Sequence, residues 1–482
     1  MNQEEIIIGA TRRVAKNTGA LLVGNIISKL CTLAFFAIAA RYIGPEEFGK
    51  YVFALSFAAM FIILGDLGLT TLAIREVARD RSLISKYLGN IAILKLILSA
   101  IAVGIIFLVI TLLNYPPDTT KVVYIIGISV FFSSLSTALR WCFQAFQKME
   151  YEALVNILQG LLLLGIGLTV VYLGRGLIGL AFAHLSTSIL IFIFSFLITI
   201  KKFAKPRFEI DWDFWKYLIP TAIPIGLTTI FVTIYLNTDT VMLSLMKGDA
   251  PVGWYNAGHK LVEAIKIIPS MFVLAIFPIL ANFYKISMES LKKVFRKSMQ
   301  YLFLLALPIA IGTTILSYKI IPIIWGQEFI PAILALQILI WGGALVFLNS
   351  IAGWCLYAID KQKIPMYICA IGVVINIILN LILIPKFSYI GAAIAIVITE
   401  FIVTLLSFFF VFQNLKISPF PPQIFKIIFA SILMGVFTWF IKDFNIILVV
   451  LVSIIFYLGI LFTIKGISKN DRQLINLIIK RS

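Results

Sequence analysis

The amino-acid sequence predicts an all-α polytopic membrane protein of about fourteen transmembrane helices, in two six-helix parallel-repeat lobes with two appended C-terminal helices. Three observations predict it. The chain has 482 residues, 61% hydrophobic and 13% charged, with a mean hydropathy of +1.04; soluble domains run near 45–50% apolar and about 25% charged. Its apolar residues fall in continuous runs long enough to span a bilayer as helices, about 20 residues each. Three short blocks also recur through the two halves at nearly constant offset.

The runs lie at roughly 18–40, 50–72, 87–113, 121–143, 151–172, 177–200, 217–238, 254–281, 298–318, 329–358, 364–384, 389–412, 424–441 and 444–464. They are numbered here as spans 1 to 14. Each is continuously apolar, whereas a barrel strand alternates with period two. The stretch 201–216 is the longest between spans and reads as a cytoplasmic linker. The expected organisation is therefore an N-terminal lobe at 1–200, the linker, a C-terminal lobe at 217–412, and an appended segment at 413–482. No soluble catalytic domain fits, so the chain is not expected to be an enzyme.

The net charge of +18 would point to nucleic acid in a soluble protein. In a membrane protein, lysine and arginine report which loops stay in the cytoplasm. With the N-terminus inside, 28 of the 40 basic residues fall on the cytoplasmic side and 8 on the other; Lys29, Lys95, Lys260 and Lys266 lie within spans. This alternation predicts both termini on the cytoplasmic face of the cell membrane, and no nucleic-acid partner. The basic tail 468–482 reads as a surface-lying amphipathic segment or a solvated end. Cys31, Cys142, Cys355 and Cys369 form no C-x-x-C pair, and His184 and His259 alone cannot furnish a metal cluster. The first seventeen residues are polar and charged, and no cleavable signal is evident.

Gly44-x4-Gly49-x-Tyr51 returns 204 residues later as Gly248-x4-Gly253-x-Tyr255. Trp141-Cys142-x2-Ala145-x2-Lys148 returns at Trp354, 213 on, and Ile178-Gly179-x-Ala181-x-Ala183 returns at Ile390, 212 on. A repeat of six spans puts both halves in the membrane with the same orientation, with substrate expected between them near the midplane. Prolines break the symmetry: spans 7 to 9 carry Pro220, Pro224, Pro269, Pro278 and Pro308, and the first six spans carry none. Kinks are expected there.

Charges inside spans are the candidate functional residues. A lysine at a helix centre costs on the order of 3 kcal/mol, so it turns to a cavity or a partner. Lys29 and Lys95 have no carboxylate within a turn of their own helices; Lys95 can also snorkel to the interface. In span 8, Lys260, Glu263 and Lys266 follow at three-residue steps beside His259. Arg140 reads as a cavity cation or a positive-inside residue. Asp66, with Arg75 and Glu76, reads as a cap or ion pair at the inner end of span 2, or as a coupling group. Asp239, with Asn376 and Asn380 four apart on one face of span 11, offers a carboxylate and amide oxygens. Those suit a hard cation or plain helix packing. Trp212 and Trp215 read as an interfacial belt, and Asp211-x-Asp213 as a span-entry feature.

Three segments carry a family resemblance: Ala40-Arg41-Tyr42-Ile43-Gly44-Pro45-Glu46-Glu47-Phe48-Gly49-Lys50-Tyr51, Gly65-Asp66-Leu67-Gly68-Leu69 with Arg75-Glu76, and Asp239 followed by Val252-Gly253-Trp254-Tyr255. With the duplicated halves, the chain resembles the polysaccharide-biosynthesis oligosaccharide flippases of the multidrug/oligosaccharidyl-lipid/polysaccharide exporter superfamily. The resemblance implies two lobes around a central cavity. It also implies transfer of a polyprenyl-linked glycan from the cytoplasmic to the outer leaflet, with membrane lipids and glycan-assembly enzymes as further partners. An anionic (pyro)phosphate head must then cross the hydrocarbon, which calls on Lys29, Arg140 and Lys260, with Lys95 and Lys266 behind them. No cofactor is implied beyond sodium or proton coupling. The lipid II flippase relatives use a sodium site between spans 7, 11 and 12, and the resemblance would put Asp239, Asn376 and Asn380 there, without a clear span-12 ligand. Two alternatives stay open: a cation-coupled multidrug exporter of the same superfamily, and a membrane glycosyltransferase or glycan polymerase. The excess of basic over acidic intramembrane residues speaks against the first, and the missing large loop with paired carboxylates against the second.

Overall fold

The computed structural model describes residues 3–204, 210–416 and 423–464, with side chains from Gly19 onward. The expectation for the tail 468–482 lies outside the described residues. Within them the chain is helical and without strands, as a bilayer requires of a backbone that must satisfy its own hydrogen bonds. Twelve helical stretches among the described residues are long and apolar enough to cross a membrane. Two of these are each a pair of spans meeting at a corner. Spans 1 and 2 share Gln3–Ile62 and turn at Gly44 (φ 75°, ψ 174°); spans 11 and 12 share Lys363–Leu415 and turn at Ser388 (φ 53°, ψ −134°). The fourteen expected spans are therefore all present as helices, and the protein is a multi-pass membrane protein.

The remaining spans follow in order. Spans 3 to 6 are Ile84–Leu112, Pro117–Ala145, Met149–Tyr172 and Gly176–Lys202. Span 7 is Trp212–Lys247, span 8 is Asp249–Ile265 with Ile267–Ile286, and spans 9 and 10 are Met288–Trp325 and Ala332–Ala358. Spans 13 and 14 are Gln423–Ile441 and Ile446–Thr463. Packing groups the residues into two compact units, Met1–Asn256 with Cys369–Ala392, and Ala257–Ile368 with Ala393–Ser482. The first is built on Tyr87, Trp141, Phe143, Leu218 and Ala222. The second is built on Phe295, Met299, Phe347, Leu356 and Ile427.

The backbone repeats where the sequence does. Gly44 (φ 75°) and Gly248 (φ 82°) adopt the same positive φ 204 residues apart, and both have ψ near 180°. Gln147 (φ 57°) and Asp360 (φ 59°) end spans 4 and 10 at an offset of 213. There Lys148 N–H reaches back to Phe143 O and Lys361 N–H to Leu356 O, both at 2.8 Å. This is one helix-ending motif written twice.

Two spans are interrupted. Span 2 stops at Ile62, passes through a short turn with Leu67 (φ 46°) and Gly68 (φ 87°), and resumes as Leu69–Arg79. The break rests on span 7 backbone to backbone: a Cβ on Gly68 would collide with the Ala222 carbonyl, and Gly226 backs onto Leu67. Span 8 pauses at Lys266, because Pro269 has no N–H for the Ile265 carbonyl. Elsewhere the expected proline kinks do not become breaks. Helix runs unbroken through Pro220, Pro224, Pro278 and Pro308, as membrane helices tolerate where the freed carbonyl is satisfied in another way.

The linker region also corrects one reading. Trp215 is buried and donates its indole N–H to Asn90 Oδ1 at 2.9 Å, so only Trp212, 67% exposed, remains a candidate for the interfacial belt. Asp211 accepts from the Phe214 N–H at 2.9 Å and caps span 7. Its span-entry role follows from that bond.

Candidate functional site

The described residues bring the intramembrane charges into four places. The first is the break in span 2, which aims Asp66 at span 3. Lys95 Nζ lies 2.7 Å from Asp66 Oδ1 and also donates to Thr70 Oγ1 (3.0 Å) and Thr137 Oγ1 (2.9 Å). Thr70, one turn past the break, donates in turn to Asp66 Oδ1 at 2.5 Å. Lys95 is 1% exposed, so it turns inward rather than snorkelling. Its three acceptors already satisfy the ammonium, and it can meet a phosphate only after Asp66 lets go. Asp66 also does not pair with Arg75 at the inner end of the span; Arg75 pairs with Glu76 at 2.8 Å.

The second place joins spans 1, 4 and 5. Arg140 holds Glu152 through two N–H donors, at 2.6 and 3.2 Å, and donates also to Asn156 Oδ1. Asn156 passes the chain on to Asn25 Oδ1 at 3.0 Å. Asn25 stands four residues before Lys29, so the two share one face of span 1. Glycines set this register. A Cβ on Gly24 would come within 2.8 Å of Ala153 Cα, and one on Gly160 within 2.8 Å of Ser28 Cα. Lys29 itself is exposed, with no carboxylate partner among the described residues. Arg140 and Lys29 thus belong to one polar strip, with Arg140 neutralised by Glu152.

The third place is Asp239. Its Oδ1 accepts from Asn376 Nδ2 (3.0 Å) and Asn380 Nδ2 (2.5 Å), and its Oδ2 from the Tyr255 hydroxyl (2.9 Å). All four residues are within 3% of full burial, and Asn380 Oδ1 has no hydrogen-bond partner among the described residues. The carboxylate, that orphaned oxygen and Asn376 Oδ1 form an oxygen set of single negative charge, which fits a hard monovalent cation. Turning the two carboxamides over would aim their oxygens inward. Among the described residues there is no cluster of three His, Cys, Asp or Glu for a softer metal.

The fourth place is span 8. Lys260 Nζ lies 2.8 Å from Glu263 Oε2, an i,i+3 pair along one helix, with His259 buried beside it. Lys266 sits at the pause, just past this helix. Sequence reasoning passed over several members of these groups: Glu152, Asn156, Asn25, Thr70 and Thr137. It also passed over Glu400, a carboxylate 6% exposed in span 12 that the search for intramembrane charges alone would have found.

Two apolar grooves lie within the second unit. One of about 520 Å³ runs between spans 9, 13 and 14, lined by Leu305, Pro308, Ile309, Met434, Val450 and Leu458 among others. A second, about 670 Å³, lies among Phe303, Leu348, Phe401 and Phe409.

This architecture is shared with known proteins. Across 91% of this chain and 97% of the other, it superposes on the lipid II flippase MurJ in its inward closed conformation, with a TM-score of 0.77 at 18% identity. By sequence, an uncharacterized membrane protein of Methanocaldococcus jannaschii is 32% identical over 42% of this chain and 43% of its own length. The capsular polysaccharide biosynthesis protein CapF of Staphylococcus aureus is 22% identical over 83% of this chain and all of its own. A probable low-salt glycan biosynthesis flippase, Agl15 of Haloferax volcanii, is 22% identical over 79% of this chain and 80% of its own. The MatE family model matches residues 224–382. The model described as polysaccharide biosynthesis protein matches residues 14–284, more than half of the sequence, and on that match the chain belongs to the polysaccharide biosynthesis protein family of the multidrug/oligosaccharidyl-lipid/polysaccharide exporter superfamily.

Proposed function

We propose that the protein is a flippase that carries a polyprenyl-(pyro)phosphate-linked oligosaccharide from the cytoplasmic to the outer leaflet by alternating access. The observation that carries this reading is family membership on a chain built almost wholly of spanning helices. Span 6 ends at Lys202 and span 7 begins at Trp212, which leaves little room for a catalytic domain. The relative named as a glycan biosynthesis flippase, aligned over most of both chains, agrees with it. The charge pattern supports an anionic cargo: Lys29 stands without a carboxylate partner among the described residues, and the middle of span 8 bears Lys260 and Lys266 to the one Glu263. The apolar groove of spans 9, 13 and 14 offers an isoprenoid tail a place beside lipid. Both termini face the cytoplasm in this reading, which the lysine distribution supports.

Asp239, Asn376 and Asn380 would hold a sodium ion, whose binding would supply the driving energy. Deletion of the gene should leave lipid-linked glycan on the cytoplasmic leaflet, and Lys29→Ala and Lys260→Ala should each lower its export severalfold. If both variants export at the wild-type rate, the cationic path is wrong; export that ignores sodium removes the ion site. The match of residues 224–382 to the MatE model favours a second reading, a drug exporter. That reading requires altered drug tolerance with lipid-linked glycans unchanged.

A further inference from the structure

The duplicated glycine blocks meet each other. A Cβ placed on Gly49 would overlap the carbonyl oxygen of Asp249, and one placed on Gly253 would overlap the carbonyl oxygen of Pro45. In the repeat, Gly49 corresponds to Gly253 and Pro45 to Asp249, each 204 residues on. The contact is therefore reciprocal: position six of each copy touches position two of the other. That is the signature of a two-fold, self-complementary interface, here made within one chain. Gly44 and Gly248 launch the two helices from the same backbone conformation, so the N-termini of spans 2 and 8 cross at the same angle to the axis between them.

The crossing is dressed with side chains on the same end of the molecule. Lys50 Nζ reaches Asp118 Oδ2 at 2.6 Å and Glu46 Oε1 at 3.5 Å. Tyr115 stacks on Phe53 with ring centroids 4.8 Å apart, and its hydroxyl meets Ser244 Oγ at 3.0 Å. The turns after spans 1, 3 and 7 are thereby tied together. Each follows an odd-numbered span, which puts all three on the membrane face opposite the termini.

We propose that these two blocks form a symmetric seal closing the face opposite the termini, and that parting of the Gly49–Asp249 and Gly253–Pro45 contacts is the step that opens this face for release. The glycines are needed because backbone lies on backbone; a side chain at either position wedges the crossing apart. Because the two contacts are copies of one another, either glycine serves to break the seal. The proposal rests on the flippase reading for what is released, and not for the seal itself.

The test separates the two. In full-length protein whose four cysteines are replaced by alanine, Thr240→Cys provides a reporter about 12 Å inward of Gly248 by helical rise. A membrane-impermeant maleimide is applied from outside. Gly49→Ala and Gly253→Ala should each raise the labelling rate at least tenfold, whereas Gly104→Ala, which meets nothing within 4 Å, should leave it unchanged. In a second protein, Lys50→Cys with Asp249→Cys is joined by oxidant or a short thiol crosslinker, without any glycine change. Joining should bring reporter labelling to background and stop glycan export, and reductant should restore both. Unchanged labelling in both glycine variants of monodisperse protein overturns the seal. So does failure of the pair to join, or reporter labelling that persists once it is joined. If the cargo reading alone is wrong, labelling and joining behave as stated and no variant changes glycan export.

Discussion

The two halves of the duplication handle buried charge in opposite ways. In the first, Asp66 and Lys95 sit on different spans and bind a broken helix to its neighbour, with Thr70 and Thr137 completing the ammonium's shell. In the second, Lys260 and Glu263 sit three residues apart on one helix, their side chains 22% and 40% exposed. A charge pair between helices fixes tertiary structure. A pair along one helix fixes little beyond its own rotamers and keeps its charge near a surface. The Asp66–Lys95 pair is therefore structural cement, and the Lys260–Glu263 pair is placed where substitution separates function from folding.

The sharpest way to break this contrast is at Asp66. Asp66→Ala strands a buried lysine, and loss of one partner from a buried pair costs about 3–5 kcal/mol. Thermal unfolding in detergent should show it, and adding Lys95→Met should recover most of the loss. A wild-type midpoint for Asp66→Ala would erase the distinction. Next come the corner glycines. Gly44→Ala and Gly248→Ala each force a side chain into a backbone conformation that costs roughly 1–3 kcal/mol, and the two losses should agree because the conformations agree. Unequal losses would show that the copies have diverged in their corners. Smaller again is Lys260→Ala. This i,i+3 pair is half-buried and lies along one helix, so the unfolding midpoint should move less than for Asp66→Ala while glycan export falls. A large drop in stability would place this pair with the first half's cement.

The smallest effect is acidic. Lys86, 2.8 Å from Asp211, together with the Phe214 N–H, holds the Asp211 carboxyl below its ordinary value of 3.8. A lowered carboxyl stabilises the fold fully above that ordinary value and stops doing so as pH falls through the lowered one. The linker end should therefore loosen only below about pH 4, read as faster proteolysis near the linker, and Asp211→Asn should remove this step.

The number of spans was legible because hydropathy in a bilayer is a one-dimensional signal. The grouping of Asp239 with Asn376 and Asn380 was also approachable, since a four-residue spacing puts both amides on one face. The partner of Lys95 was not. Asp66 stands 29 residues away on another helix, and a uniformly apolar span gives no periodicity to say which face meets which neighbour. The break at Gly65-Asp66-Leu67-Gly68 was visible as letters and was read as a helix end, because nothing local says that a helix resumes at Leu69. The prolines show a related limit: local rules locate the lost hydrogen bond, and packing decides whether the helix breaks, as it does before Pro269 and not at Pro220.

Ser388 holds one last consequence. It turns the corner between spans 11 and 12 at φ 53°, and 212 residues earlier the same corner is turned by Gly176 at φ 60°. The molecule thus carries an internal paralogue that proposes its own edit: Ser388→Gly would relax a positive-φ serine, and Gly176→Ser would impose one. For a membrane protein, where stabilising changes are usually sought by blind scanning, each half is a template for repairing the other.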